Sequence, residues 1–187
     1  MKPKNYNILP NDLPIPKNDG LCDHLTGMEI PDVSLLTSNG DYIKLRRKES
    51  FKIVFYIYPM TGRPDKNLPI NWNNIPGATG CTPENCSFRD NYEELIKLNA
   101  LPIGISSQTF EDIKEMKNRL KIQHDILSDY GLVFTKSLKL PTFSIDNKIF
   151  IKRLTLIVDN IKIVKVFYPI FPPDNHIYEV LNWLKEN

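Results

Sequence analysis

The stretch GCTPENCSFRD, residues 80–90, places two of the chain's three cysteines five positions apart. A Thr-Pro step follows the first of them. It predicts a helix start, with Thr82 as the N-cap and Pro83 as the first helical residue. Apolar residues then recur at a helical period, which predicts one helix over residues 82–99. Cys81 is therefore expected at the N-terminal end of this helix.

Strands are predicted on both sides of this helix. Residues 52–59 and 101–106 are nearly continuous apolar runs, as in strands that are buried on both faces. The order strand, helix, strand indicates a parallel pair with a right-handed crossover. Two later segments, residues 152–159 and 162–168, are joined by two residues and are expected to pair antiparallel at the edge of the sheet.

The other periodic segments complete the element order. Residues 33–45 are two short apolar runs around an Asn-Gly pair, whose tolerance of positive φ marks a β-hairpin. Helices are predicted from Thr109, with Asp112 as a weak capping box, and over residues 174–186. A short strand falls within residues 124–129. Together these elements predict an α/β fold with a mixed central β-sheet, helices on both faces and an N-terminal hairpin.

Two segments show neither the helical nor the strand period. Residues 1–20 contain four prolines and few large apolar residues, and we interpret them as an extended N-terminal arm, ordered only where it lies across the body. Residues 21–187 then form a single domain. Residues 60–78 hold three prolines and two glycines, and loops of this length in compact domains are functional or disordered. Because this loop leads into the first cysteine, a functional role is expected, with Trp72 as a packing anchor.

Composition and charge limit the classes of function. A chain of 187 residues with 41% apolar and 25% charged residues is typical of one globular domain. The net charge of +2 is too small to suggest nucleic acid or an anionic membrane as partner, and no apolar run approaches membrane-spanning length. The first residues lack the apolar stretch of a secretory signal. A reducing cytoplasm is therefore expected, where a close cysteine pair points to redox or metal chemistry.

The position of Cys81 at a helix start favours its thiolate. Free backbone N–H groups and the helix dipole lower the pKa of a cysteine from its ordinary value of ~8.5. With a nearby cation, the pKa of Cys81 is expected near or below ~7. Five residues of helix separate the Cα atoms of Cys81 and Cys86 by roughly 8–9 Å, whereas a disulfide tolerates at most ~7 Å. The two sulfurs can therefore bond only when the first turn of the helix unwinds.

The motif resembles the active-site segment of peroxiredoxins, in particular the Q type, also called bacterioferritin comigratory protein, with its pattern C-T-x-x-x-C-x-F-R-D. The likeness continues in LPIGISSQ, ILSD, KRLTLIVD and VLNWLKEN, and it covers residues 21–187. It implies a thioredoxin fold and a thiol peroxidase that requires no metal, flavin or heme. It also implies a hydroperoxide substrate, thioredoxin or a similar dithiol as reductant, and a monomer or homodimer.

The resemblance assigns roles to five residues. Cys81 matches the peroxidatic cysteine, which is oxidised to a sulfenic acid, and Cys86 matches the resolving cysteine, which forms a disulfide with it. Arg153 matches the arginine beside the thiolate, and Glu84 matches the glutamate that helps to hold this arginine. The family usually has a threonine three positions before the peroxidatic cysteine. This chain has Thr79 two positions before it instead, so Thr79 is the candidate for the hydroxyl role.

Other interpretations use the same residues differently. A thioredoxin-like redox sensor or disulfide-exchange protein would use both cysteines without efficient peroxide turnover, and the shifted Thr79 and the inserted loop at residues 60–78 keep this alternative open. A binding domain with incidental cysteines is a third interpretation. A zinc site would need a scattered histidine to converge on the pair. Cys86 can also be ordinary core, while Cys22 is interpreted as structural and Arg89 as the ion-pair partner of an acidic helix neighbour.

Overall fold

The computed structural model describes residue 6 and residues 8–187, which form a seven-stranded mixed sheet and a separate two-stranded sheet. The strands are β1 (Ser34–Thr37), β2 (Tyr42–Lys44), β3 (Lys52–Ile57), β4 (Ala100–Ser106), β5 (Ile126–Ser128), β6 (Thr142–Ile145), β7 (Lys148–Ile151), β8 (Leu154–Asp159) and β9 (Lys162–Phe167). The helices are α1 (Cys81–Asp90), α2 (Tyr92–Lys97), α3 (Phe110–Leu120), α4 (Val133–Ser137) and α5 (His176–Glu186), and a 3₁₀ turn covers Trp72–Asn74. Within the described part of the chain, no helix combines the length and apolar character that crossing a bilayer requires.

The large sheet has the strand order β2-β1-β5-β4-β3-β8-β9. Strand β3 pairs parallel with β4 on one side and antiparallel with β8 on the other, where Ile57 lies opposite Leu154. The predicted parallel pair and the predicted antiparallel edge, β8 with β9, are both confirmed. Because of this register, the end of β3 lies beside the start of β8. The loop that leads to α1 leaves the sheet at the same place.

The central strand β3 is buried on both faces, as its apolar run predicts. Val54 and Tyr56 of this strand, and Tyr58 just after it, pack into the core with α1, α2, α3 and α5. Their neighbours pack into the opposite core with residues of α4, namely Ile53, Phe55 and Ile57. Helices therefore cover both faces of the sheet, as predicted. Burial of these large side chains stabilises the fold, by about 1.5–3 kcal/mol for a side chain of this size.

Several smaller predictions are also confirmed. The first hairpin is β1 with β2, and Gly40 of its Asn-Gly pair has a φ of 99°. Thr109 caps α3, since its side chain accepts a hydrogen bond from the backbone N–H of Asp112. The closing helix α5 buries the four apolar side chains that its period directs inward, which are Ile177, Val180, Leu181 and Leu184.

The helix over residues 82–99 was expected to be continuous and to be capped by Thr82, and both expectations are wrong. The N-cap is Gly80, at a φ of 106°, and its carbonyl accepts a hydrogen bond from the backbone N–H of Glu84 at 3.1 Å. Glycine adopts this backbone conformation more readily than other residues. The Thr82 hydroxyl is instead buried and has no hydrogen-bond partner within the described part of the chain. The helix breaks at Asn91, whose side-chain and backbone N–H groups both bond to the Ser87 carbonyl.

Helix α4 and the hairpin of β6 and β7 were not predicted. The hairpin turns at Asp146 and Asn147, with φ of 50° and 57°, as in the two-residue turns that asparagine and aspartate favour. Its aromatic side chains enclose Trp72, whose ring centroid lies 5.0 Å from that of Phe150 and 5.7 Å from that of Phe143. Trp72 is thus the packing anchor that was predicted, and it fixes the loop over residues 60–78 against this hairpin.

The N-terminal arm lies partly outside the described residues, which omit residues 1–5 and 7. From residue 8 to residue 20 the arm has no helix or strand. Its end is fastened to the body, because Asp19 accepts hydrogen bonds from Lys152 Nζ at 2.7 Å and from Tyr168 Oη at 2.8 Å. The division between an arm up to residue 20 and one domain over residues 21–187 stays a prediction.

Candidate active site

Cys81 is the first residue of α1 and is almost fully buried, with 2% of its surface exposed. Its sulfur accepts a hydrogen bond from the backbone N–H of Met60, just after β3. It also lies 3.4 Å from the carbonyl oxygen of Ala78, to which the thiol form donates. The sulfur therefore lies between the start of α1 and the end of β3, at a place that the sheet fixes.

Arg153 reaches this sulfur because β8 begins beside the end of β3. Its Nη2 donates to Cys81 Sγ at 3.2 Å. The same nitrogen contacts the carbonyl oxygens of Gly77 and Thr79, each at 3.2 Å. The guanidinium is buried and has five donors in a rigid plane. Arg153 thus holds the loop before α1 and the sulfur at the same time, and it is a fixed positive charge next to the thiol.

Glu84 lies one turn after Cys81 and binds the other side of the same guanidinium. Its Oε2 accepts a hydrogen bond from Arg153 Nη1 in an ion pair that is buried on both sides. Its Oε1 has no hydrogen-bond partner among the described residues. Burial raises the pKa of the Glu84 carboxyl to about 7, although Arg153 acts to lower it. The Arg153 guanidinium therefore contacts two buried groups that can each ionise to an anion, the Cys81 thiol and the Glu84 carboxyl.

Burial raises the pKa of the Cys81 thiol above its ordinary value, and the Glu84 carboxylate raises it further. Arg153 and the backbone N–H of Met60 act to lower this pKa, but burial is the largest effect. The expected pKa near or below ~7 is thus not what this closed site produces. The motif indicates a helix start and a cation near Cys81. It does not indicate that the Cys81 sulfur is fully buried or that the Glu84 carboxylate competes for the same cation. Because a buried site favours zero net charge, the thiolate is most stable when Glu84 carries the proton.

The side chain of Thr79 does not point at the sulfur. Its hydroxyl donates to Asn73 Oδ1 at 2.8 Å, while its carbonyl oxygen accepts from Arg153. Thr79 lines the cavity in front of Cys81, yet its hydrogen-bonding group is engaged elsewhere. Its role as a hydroxyl donor to the peroxide stays a prediction, and the observed contact of Thr79 with the catalytic group is made by the backbone.

Cys86 lies in the second turn of α1, half-buried against the core that α1 shares with α5. Both cysteines are free thiols. Because α1 is unbroken between them, helical geometry separates their Cα atoms by roughly 8–9 Å, beyond the ~7 Å reach of a disulfide. Burial raises the pKa of the Cys86 thiol, and a hydrogen bond and positive charge from Arg89 act to lower it. Arg89 also forms the expected ion pair, with Asp90 at 2.8 Å.

A buried polar chain fastens the first turn of α1, and nothing in the sequence pattern indicated it. Asn85 Nδ2 donates to the Cys81 carbonyl at 2.8 Å, and Tyr56 Oη donates to Asn85 Oδ1 at 2.9 Å. His124 Nε2 lies 2.7 Å from Tyr56 Oη. Since the single hydroxyl proton is used toward Asn85, the His124 nitrogen must carry a proton and donate to Tyr56. Unwinding the first turn of α1 therefore breaks this chain.

His124 is held in its neutral form. Burial lowers its pKa to about 3, and the charge of Lys117 adds to this effect. Its Nδ1 is buried without a hydrogen-bond partner among the described residues. A protonated His124 would place an unpaired charge in the core beneath α1, which is strongly unfavourable. His124 is thus neutral in the folded protein, with its proton on Nε2, where it donates to Tyr56.

Cys22 lies in the opposite core, with Leu25 and Ile30 among its neighbours in that cluster. Burial and the nearby Asp19 and Asp23 carboxylates raise the pKa of its thiol to about 12. A thiol with this pKa is almost entirely protonated at neutral pH and is a weak nucleophile. The structure therefore supports the structural interpretation of Cys22.

Comparison with known proteins identifies the family. The family model for Redoxin matches residues 25–181. The chain is 30% identical over 163 residues to the chloroplastic peroxiredoxin Q of Arabidopsis thaliana, covering 85% of this chain and 66% of that protein. It is 26% identical over 165 residues to peroxiredoxin Bcp of Escherichia coli, covering 84% of this chain and 93% of that protein. The chain thus spans about two thirds of the plant relative and most of the bacterial one.

Solved structures agree in fold. The peroxidoxin BcpB of Mycobacterium tuberculosis superposes with a TM-score of 0.69 at 24% identity, over 87% of this chain and 98% of that one. Peroxiredoxin Q of Xanthomonas campestris superposes with a TM-score of 0.65 at 19% identity, over 95% of this chain and 99% of that one. These matches confirm the predicted thioredoxin fold, and the peroxiredoxin relatives confirm the predicted enzyme class, a peroxiredoxin-type oxidoreductase. The chain belongs to the redoxin family, and the members it is similar to are peroxiredoxins of the Q and Bcp type.

Proposed function

We propose that this protein is a thiol-dependent peroxidase that reduces hydrogen peroxide and organic hydroperoxides at Cys81. The observation that supports this most strongly is the contact between Arg153 Nη2 and Cys81 Sγ, 3.2 Å long and buried at a helix start. A fixed guanidinium stabilises the thiolate, and it also stabilises negative charge on the oxygen that leaves. Neither task requires a metal or an organic cofactor.

The reaction at Cys81 follows from this geometry. The thiolate attacks the terminal oxygen of the hydroperoxide, so that a sulfur–oxygen bond forms and the oxygen–oxygen bond breaks. The leaving oxygen takes up a proton and departs as water or as an alcohol, and Cys81 becomes a sulfenic acid. Glu84, with its pKa of about 7, is protonated when the thiolate forms, and it lies on the same guanidinium.

Cys86 then resolves the sulfenic acid in this proposal. Its sulfur attacks the Cys81 sulfur, a disulfide forms and water leaves, which requires the first turn of α1 to unwind. A dithiol such as thioredoxin returns the disulfide to two thiols by exchange. A cytoplasmic location and a monomeric or homodimeric state belong to the same proposal, while the Arabidopsis relative is named as a chloroplast protein.

Serine variants of the three cysteines test this proposal. Peroxide consumption is measured in a system with thioredoxin, thioredoxin reductase and NADPH. The Cys81→Ser variant is expected to be inactive, and the Cys86→Ser variant to be oxidised once without turnover. The Cys22→Ser variant is the matched control and is expected to keep the parent rate, since its thiol lies in the other core. Peroxide consumption by the Cys81→Ser variant at the parent rate overturns the assignment.

A redox sensor is the second candidate function, and two observations favour it. Burial raises the pKa of the Cys81 thiol, and the Thr79 hydroxyl binds Asn73 rather than the sulfur. Both features slow the first oxidation step. A sensor would be oxidised once by peroxide and would stay oxidised in the presence of the thioredoxin system, whereas a peroxidase turns over continuously in the same assay.

A further inference from the structure

A cavity of about 470 Å³ opens in front of Cys81. Cavities of roughly 300–1,000 Å³ hold small organic ligands in proteins, whereas hydrogen peroxide has only two heavy atoms. The body of the protein supplies apolar side chains to this cavity, among them Met60, Leu68 and Trp72. The space at the sulfur is thus larger and more apolar than the smallest hydroperoxide requires.

The facing wall of the cavity is formed by the N-terminal arm, through Tyr6, Ile8, Leu9 and Pro10. The arm approaches the body where the body has no side chain. A Cβ atom on Gly62 would lie 2.9 Å from the Tyr6 ring. A Cβ atom on Gly80 would lie 2.4 Å from Pro173 Cγ of the body and 2.8 Å from Leu9 Cδ2 of the arm. Contacts below 3.0 Å force one of the partners to move. Glycine at these two positions therefore allows the arm to lie directly over the start of α1.

The arm is held on both sides of Leu9. On one side, Tyr6 Oη donates a hydrogen bond to the Lys66 carbonyl at 3.3 Å. On the other, Asp19 forms its ion pair with Lys152 at 2.7 Å, and Lys152 is the neighbour of Arg153 in the chain. A segment fastened in this way forms a wall of the site and is not a free tail. Its apolar side chains are fixed opposite the place where peroxide reacts.

We propose that the arm determines substrate specificity, with Ile8 and Leu9 contacting the organic substituent of a hydroperoxide whose terminal oxygen lies at Cys81. This inference rests on the proposed peroxidase function. The polar end of the substrate faces the Cys81 sulfur, and its apolar end displaces water from the cavity between the arm and Trp72. Such contacts favour an aryl or alkyl hydroperoxide over hydrogen peroxide, which has no apolar end.

The experiment compares the oxidation rate constants of the reduced protein with cumene hydroperoxide and with hydrogen peroxide, by stopped-flow. In the Leu9→Ala variant, the ratio of the two rate constants is expected to fall by about 10-fold, as for the loss of apolar contact in a binding pocket. The matched control is Ile15→Ala, because Ile15 belongs to the same arm and does not line the cavity. Its ratio is expected to be unchanged.

A second variant tests the arm from the side of the body. Gly62→Ala places a methyl group against the Tyr6 ring, displaces the arm and is expected to lower the same ratio. The role of the arm is overturned if the ratio is unchanged in both variants, or if the rate constants with the two peroxides fall equally. Either result leaves the proposed peroxidase function standing. If the parent protein is oxidised by neither peroxide, the peroxidase proposal fails, and the role of the arm fails with it.

Discussion

Replacing Arg153 with methionine removes the cation beside Cys81 while keeping a side chain of similar length. Arg153 Nη2 lies 3.2 Å from Cys81 Sγ. With the charge centre at about 4 Å and an effective dielectric constant of about 20, the attraction is about 4 kcal/mol, which equals about 3 pKa units. Glu84 loses the same cation and takes up a proton, which removes a charge that raises the pKa of Cys81. The net rise is therefore smaller, about 1–2 units.

The expected loss of rate follows from this pKa shift. A rise of about 1–2 units lowers the thiolate fraction at pH 7 about 10- to 100-fold, and loss of the cation near the leaving oxygen lowers the rate further. We expect peroxide oxidation to slow by at least about 100-fold.

The assay for this prediction is the pH dependence of Cys81 alkylation and of Cys81 oxidation, in a Cys86→Ser background. Cys22 does not interfere, because its pKa is about 12. The control variant is Arg89→Met, whose arginine binds Asp90 and the Leu120 carbonyl. An Arg153→Met variant with the parent's thiol pKa and an oxidation rate within about threefold of the parent refutes the reasoning.

Four further predictions concern the surroundings of Cys81. Glu84→Gln removes a charge that raises the pKa of Cys81, so this pKa is expected to fall; a higher value in the alkylation assay contradicts the shared-cation account. Tyr56→Phe breaks the polar chain below α1, so stability is expected to fall by about 1–3 kcal/mol and disulfide formation to accelerate; a slower disulfide step argues against that chain as a restraint. His124 has a lowered folded pKa of about 3, so the unfolded state binds more protons below its ordinary pKa of ~6.5, and the free energy of unfolding falls as pH drops through this window; His124→Phe is expected to flatten that profile in denaturant titrations. Trp72→Ala is expected to cost about 3–5 kcal/mol in the same titrations, and a cost below about 1 kcal/mol contradicts the anchoring role.

The local patterns that predicted the fold are those whose physical cause lies within a few residues. The apolar run of β3 indicates a strand buried on both faces, because every side chain along it must avoid water. The motif around Cys81 was identifiable because its helix start and both cysteines lie within one short segment. Arg153, 72 positions from Cys81, was identified by the family resemblance and not by its surroundings in the sequence.

The features that were not predicted depend on contacts between distant segments or on competing local signals. Thr82 followed by proline is a strong cap signal, yet Gly80 adopts the left-handed conformation and caps the helix two residues earlier. The pair Asp146-Asn147 was a usable turn signal for the missed hairpin. The contact between Tyr56 and His124 joins residues 68 positions apart. The periodicity of apolar residues within a short segment does not predict such a contact. It also does not predict the burial that sets the pKa of both Glu84 and Cys81.

The central claim is that the sulfur at the start of α1 reacts with peroxide and then bonds to the second cysteine of the same helix. Treating the reduced protein with one equivalent of hydrogen peroxide, followed by thiol counting and peptide mapping by mass spectrometry, tests it directly. We predict the loss of two thiols, a peptide that links Cys81 to Cys86 and an unmodified Cys22. A Cys81 that stays a free thiol after peroxide is consumed would contradict the account.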